Sequence, residues 1–149
     1  MPRIAVIIPT YNRSELLKAA LDSVLSQKYK DLETIVVDDG SEDDTSELVG
    51  QYPQCRYIKL EHSGLPAVAR NAGIRRTKAD FVAFLDSDDE WLPQKLERQM
   101  PIFAEADAGL VCSNAFSFLT ARVLRRGPIS PPNRARRAGF SPILSEITL

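Results

Sequence analysis

The sequence predicts an α/β fold, a mostly parallel sheet with helices on both faces, and three observations carry this. Short apolar runs rich in β-branched and aromatic residues, at 4–8, 32–37, 57–60 and 81–85, read as buried strands. Stretches with apolar residues at helical spacing fall between them. Strand and helix therefore alternate, the pattern of crossover connections between parallel strands. A chain of 149 residues that is 44% hydrophobic is large enough for one domain with a real core.

The elements follow in order. After the first run, Leu16, Leu17, Ala20, Leu21, Val24 and Leu25 share one helix face, and Asn12 with Glu15 three residues on forms a capping-box start. Asp44 with Glu47 repeats that signal ahead of Leu48, Val49 and Tyr52. A third helix is expected over 65–75. A fourth starts at Pro93, a residue suited to the first helical position, and runs toward Met100 before Pro101 bends or ends it. Residues 115–124 read as a further strand. Beyond them Pro128, Pro131, Pro132 and Pro142 break any regular pattern, and the stretch from Arg122 to Gly139 holds six arginines and no acid. The expected organisation is one domain over 1–126 followed by a Pro/Arg-rich tail over 127–149.

Composition excludes several classes. A formal net charge of −1 gives no general attraction to nucleic acid, and no such partner is expected. The longest apolar runs are about five residues, against the roughly 20 that a membrane-spanning helix needs. Met1-Pro2-Arg3 precedes too short an apolar stretch for a signal peptide, so a cytoplasmic chain is expected. Cys55 and Cys112 lie in no metal-ligand spacing and read as buried, reduced thiols.

Ligands of parallel α/β sheets bind beyond the carboxyl ends of the strands, so the loops after each strand hold the candidate residues. The first, 9–13, contains no glycine, which disfavours both a dinucleotide turn and a phosphate-binding P-loop. Tyr11 there is either a face on which a base stacks or a packed loop tyrosine. The second loop carries Asp38-Asp39-Gly40. Asp44 and its neighbours have a structural account as helix caps, whereas Asp38 and Asp39 are placed to accept hydrogen bonds from a ring N–H or a ribose hydroxyl. A receiver-domain phosphoacceptor pair would instead follow the first strand. After the fourth strand, Asp86-Ser87-Asp88-Asp89-Glu90 places four carboxylates in five residues, with no Lys or Arg between Lys78 and Lys95. Mg²⁺ or Mn²⁺ is the natural partner of such oxygens, and an acidic helix start before Pro93 is the alternative.

Taken in order, VIIPTYNR at 6–13, VVDDGSEDDT at 36–45, GLPAVARNAGI at 64–74 and FVAFLDSDDEWLPQKLERQ at 81–99 resemble the motifs of family-2 glycosyltransferases. The resemblance implies a GT-A-type, Rossmann-like sheet and inverting, metal-dependent transfer of a sugar from a nucleotide-sugar, with UDP favoured, to an acceptor hydroxyl. On matching positions it implies that Thr10 and Tyr11 line the nucleotide pocket. Asp39 would hydrogen-bond the base edge, and Arg70 would reach the base or phosphates, unless it is an ordinary surface arginine. Asp86-Ser87-Asp88 would be the DxD motif, Asp86 approaching the ribose or a metal-bound water and Asp88 ligating Mn²⁺ or Mg²⁺. Nothing matches the family's catalytic base, and the tail at 127–149 would be the start of an acceptor-side region that the chain does not complete. A lipid-linked acceptor and peripheral membrane contact through the arginine-rich stretch are in keeping with cell envelope polysaccharide biosynthesis. The competing reading is a catalytically incomplete nucleotide-sugar-binding module. A nucleotidyltransferase is more distant, since it wants a Gly-rich, basic first loop.

Overall fold

A computed structural model describes residues 2–106 and 108–115. The chain divides into a unit over Met1–Gly109 and a second over Leu110–Leu149, of which only 110–115 are described. Those six residues form no helix or strand, and Cys112 among them is exposed, contrary to the expected buried thiol. From residue 116 onward, the further strand expected at 115–124 and the tail at 127–149 lie outside the described residues.

Eight elements alternate along the first unit: β1 (Ile4–Thr10), α1 (Ser14–Leu25), β2 (Leu32–Asp38), α2 (Thr45–Gly50), β3 (Cys55–Lys59), α3 (Pro66–Ile74), β4 (Phe81–Phe84) and α4 (Lys95–Ala106). The four strands pair in the order β3-β2-β1-β4, all parallel. β1 lies inside the sheet and is buried along its whole length, which is why it reads as a continuous apolar run rather than an alternating one. Its odd and even residues serve different layers. Ile4, Val6 and Ile8 pack with Leu17, Ala20, Leu21 and Val24 of α1, Val49 of α2 and Leu96 of α4. Ala5 and Ile7 face the other way, with Ile35, Val37 and Ile58, onto Ala69 and Ala72 of α3. Helices thus cover both faces. At Gly73 the backbone of α3 comes so close to the sheet that a Cβ would stand 2.7 Å from Cγ2 of Ile7.

The order of strands fixes where a ligand can enter. Successive strands step outward from β1 to β2 to β3, and the chain then crosses back to place β4 on the other side of β1. The reversal lies between β1 and β4, and at such a switch point the loops diverge and leave a crevice beyond the strand ends. Thr10 ends β1 beside Asp38 of β2, and Phe84 ends β4.

Three local expectations need correction. The capping-box start at Asn12 does not form: Asn12 adopts φ 49, Arg13 takes the N-cap position, and its side chain makes no capping hydrogen bond. The Asn12 side-chain oxygen instead accepts from the Glu42 amide at 2.8 Å, a contact with the next loop that local pattern cannot reveal. At α2 the residue before the helix is Asp44, but it is Asp43 that accepts from the amide and hydroxyl of Thr45. Lastly, α4 follows a turn at 93–94 and runs through Pro101 to Ala106. Proline removes one helical hydrogen bond, and packing of Met100 on the core and of Phe103 on Phe81, ring centroids 4.7 Å apart, carries the helix past it.

Candidate functional site

The loops at the carboxyl end of the sheet enclose a cleft of about 390 Å³, lined among others by Thr10, Tyr11, Arg13, Asp39, His62, Arg70, Asp86 and Asp88. Its first wall is the β1–α1 loop, and that loop is tied firmly to the β2–α2 loop. The Asn12 amide donates to Ser41 Oγ at 2.9 Å and the Ser14 amide to Asp43 Oδ2 at 3.0 Å. Arg13 and Tyr11 are therefore presented from a fixed backbone. Thr10 is buried, and among the described residues its Oγ1 is the buried side-chain polar atom without a hydrogen-bond partner.

Asp38 and Asp39 diverge in role. Asp38 is fully buried and engaged by the protein: its carboxylate accepts from the Ser41 amide at 2.8 Å and from the Tyr57 hydroxyl. Burial and the bond to this carboxylate push the Tyr57 hydroxyl far up from its ordinary value, so it remains a donor. Asp39 organises the next loop. Its Oδ1 accepts from the amide and hydroxyl of Ser63 at 3.0 and 2.8 Å, and Oδ2 accepts from the Gly64 amide at 2.8 Å. Burial alone would raise this carboxyl, but the Ser63 and Gly64 donors and the neighbouring His62 outweigh it and hold it below the usual carboxylate value. Asp39 is thus an ionised acceptor, much of whose capacity already goes to the protein.

Two cleft residues escape sequence reasoning. His62, the chain's single histidine, stacks on Tyr11 with ring centroids 4.1 Å apart and planes 22° from parallel. Its Nδ1 lies 2.8 Å from the Asp39 carbonyl oxygen. Gly40, at φ 84, makes room for it, since a Cβ there would meet the His62 amide nitrogen at 2.9 Å. One face of Tyr11 is therefore already covered. The other is Arg13. A lone histidine before Ser63-Gly64 carries no distinctive local pattern, and Arg13, although it ends the motif at 6–13, receives no role from it; only the tertiary fold brings the two to the cleft.

At the opposite wall, the β4–α4 loop carries the acidic cluster. Asp86 and Asp88 are about half exposed, and each is met by an arginine from elsewhere in the fold: Arg70 of α3 at 2.6 Å from Asp86, and Arg13 at 2.6 Å from Asp88. The lack of a nearby basic residue in the sequence is thus made up in three dimensions. Burial, and then the charges of Asp88 and Asp86, raise the Asp89 carboxyl above its ordinary value. Among the described residues, no group of three or more His, Cys, Asp or Glu is arranged to hold a metal with protein ligands alone. A divalent ion that keeps its waters and takes diphosphate oxygens needs only one or two carboxylates. Asp86 and Asp88, hard oxygen donors at the cleft rim, fit that smaller demand.

Several known proteins resemble the chain over this region. TuaG of Bacillus subtilis (strain 168), assigned to teichuronic acid biosynthesis as a glycosyltransferase, is 39% identical over 121 residues, covering 78% of this chain and 46% of its own. The Escherichia coli UDP-Glc:alpha-D-GlcNAc-diphosphoundecaprenol beta-1,3-glucosyltransferase WfaP is 36% identical over 102 residues, 67% of this chain and 41% of its own. This chain thus spans less than half the length of these relatives. Among solved structures, Staphylococcus aureus TarS 1-349 in complex with UDP-GlcNAc is similar with a TM-score of 0.66 and 31% identity, over 69% of this chain and 31% of that one. The mannosyltransferase PcManGT of Pyrobaculum calidifontis, in complex with GDP-Man and Mn²⁺, gives 0.63 and 30%, over 70% of this chain and 33% of that one. The parallel sheet with helices is accordingly of the GT-A type. The sequence profile of glycosyl transferase family 2 matches residues 5–145, and the chain belongs to that family.

Proposed function

We propose that this protein binds a nucleotide-sugar, with UDP as the favoured nucleotide and Mn²⁺ or Mg²⁺ as the metal, and serves inverting transfer of the sugar to an acceptor hydroxyl. The observation that carries this is the division of one cleft into two unlike ends. One end holds an aromatic ring, Tyr11, beside the ionised acceptor Asp39; the other holds Asp86 and Asp88 with Arg13 and Arg70. A base with a π-face and a ring N–H suits the first end, and a diphosphate with a cation suits the second. Thr10 would line the nucleotide pocket, Arg70 would turn to the base or phosphates, and Asp86 would approach the ribose or a water on the metal. Asp88 would hold the metal, which when bound supplies Lewis-acid stabilisation of the departing nucleoside diphosphate. We place these functions in residues 1–126 and the start of the acceptor side in 127–149. The diphosphoundecaprenol-linked acceptor in the name of WfaP and the teichuronic acid biosynthesis in that of TuaG favour a cell envelope polysaccharide, with contact to the membrane surface; among the described residues no helix is long and apolar enough to cross a membrane.

A second reading, a donor-binding module without its own catalytic base, is favoured by one observation. The acids lining the described cleft are Asp39, Asp86 and Asp88, each engaged by amides or arginines. Glu97 and Glu105 lie on α4, while Asp107 and Glu146 are outside the described residues. The donor-site reading common to both is tested by the thermal midpoint with UDP, with and without Mn²⁺. Ligand binding should raise the midpoint by mass action, and Asp88→Asn should abolish the metal-dependent part. Metal-dependent affinity unchanged in that variant would refute the metal role of Asp88.

A further inference from the structure

We infer that Arg13 is an exchangeable counter-ion. It neutralises Asp88 before donor binds and passes to the donor's diphosphate when the metal takes Asp88. The inference rests on the donor-site reading above and adds to it a residue and an order of events.

The geometry makes Asp88 a contested group. Arg13 Nη1 donates to Asp88 Oδ2 at 2.6 Å. A divalent ion on that carboxylate would stand about 2.0–2.1 Å from an oxygen if it were Mg²⁺. A guanidinium and a divalent cation so close to the same small group repel each other, and Asp88 can serve only one of them well. Repulsion between the two cations therefore favours Arg13 swinging away as the metal enters. Arg13 cannot travel far, because its backbone is fixed. Its carbonyl accepts from the Leu17 amide at 2.9 Å, and the neighbouring Asn12 and Ser14 amides are tied to Ser41 and Asp43.

The choice of destinations within the cleft is narrow. Asp39 is engaged by Ser63 and Gly64, and Asp86 is already paired with Arg70. The donor's diphosphate is the remaining anion, and a guanidinium fork matches phosphate oxygens in pairs. Both side chains of the present pair are about half exposed, an environment in which an ion pair contributes little, so the exchange is easily reversed. Coupling between metal and diphosphate then follows, and it must be equal in both directions.

Electron paramagnetic resonance of Mn²⁺ titrated into the full chain, alone and with saturating UDP or inorganic pyrophosphate, tests the exchange. In Arg13→Gln, Mn²⁺ should bind about two- to five-fold more tightly in the absence of nucleotide, since its competitor is gone. UDP should bind more weakly in the presence of Mn²⁺, and the coupling between the two should shrink. Arg13→Lys, which keeps a charge without the fork, should fall between. A residue that only holds phosphate would leave nucleotide-free Mn²⁺ binding unchanged, and a residue that only supports the fold would weaken it; either result overturns the inference. The wild-type control separates this from failure of the donor-site reading, which would show as UDP binding indifferent to Mn²⁺ before any substitution. Replacing Lys59, which donates to the Ser41 carbonyl at 2.8 Å, by Gln supplies a further check, because the same tightening there would reduce the effect to general loss of positive charge.

Discussion

Asp39 illustrates how one carboxylate serves the fold and the site together. It accepts three hydrogen bonds from Ser63 and Gly64, and so shapes the loop that carries His62 under the ring of Tyr11. Its depressed pKa turns this into a dependence on pH. A carboxyl lowered on folding contributes stability that is complete above its unfolded value near 3.8 and lost as pH falls through the folded value. Replacing Asp39 by Asn removes that contribution, and it sets an amide NH₂ against donors that need an acceptor. The expected loss is about 1–3 kcal/mol at neutral pH, read as a lower urea midpoint. The difference between variant and wild type should narrow on acidification below about pH 4. Asp43, whose carboxyl is likewise lowered, keeps some acid sensitivity in the variant. A variant as stable as the wild type at neutral pH would show that these hydrogen bonds contribute nothing net.

At the scale of elements, strands and helices were legible because each leaves a period in the sequence, whereas their boundaries answer to contacts from elsewhere. β1 announces itself through unbroken burial. The start of α1 does not, since Asn12 is drawn to Glu42, thirty residues on. Much of the candidate site was legible for the same kind of reason: Asp39, Arg70, Asp86 and Asp88 stand in motifs at strand ends or on the third helix. Arg13 and His62 were not, because their meaning comes from what the fold places opposite them. Gly73 shows the same limit in packing terms. Nothing in its neighbours marks it, yet a Cβ there would press to 2.7 Å on Ile7. Gly73→Ala would gain up to about 1 kcal/mol of helix propensity and lose roughly 1–3 kcal/mol to overpacking as α3 is lifted from the sheet. The overpacking should win. Chemical denaturation should show a lower midpoint for the variant, and an equal or higher midpoint would mean that the helix accommodates the methyl group at no cost.

For the whole molecule, donor binding and sugar transfer make separate demands, and the described residues meet the first better than the second. On the proposed function, the cleft at the β1/β4 switch point would seat a nucleoside diphosphate and stabilise its departure through cations at its acidic rim. Attack on the sugar also requires an acceptor hydroxyl that loses its proton. General-base assistance contributes about 10²- to 10⁴-fold, and misplacement of the acceptor is comparably damaging. Each acid of the described cleft is a poor base here. Asp39 is held below the usual carboxylate value by its donors, and Asp86 and Asp88 each face an arginine now and would face a metal when one binds. A carboxylate that holds a metal has its oxygens committed to the cation rather than to a proton. The 149-residue chain by itself is therefore expected to bind UDP and Mn²⁺ yet transfer sugar at a rate near background, with slow hydrolysis of the donor by water as its main turnover. Release of UDP from UDP-sugar, measured with and without candidate polysaccharide or lipid-linked acceptors, distinguishes the cases. An acceptor that accelerates UDP release strongly, in a way abolished by Glu97→Gln or Glu105→Gln, would show that α4 supplies the base and that the donor-binding residues are accompanied by a complete catalytic set.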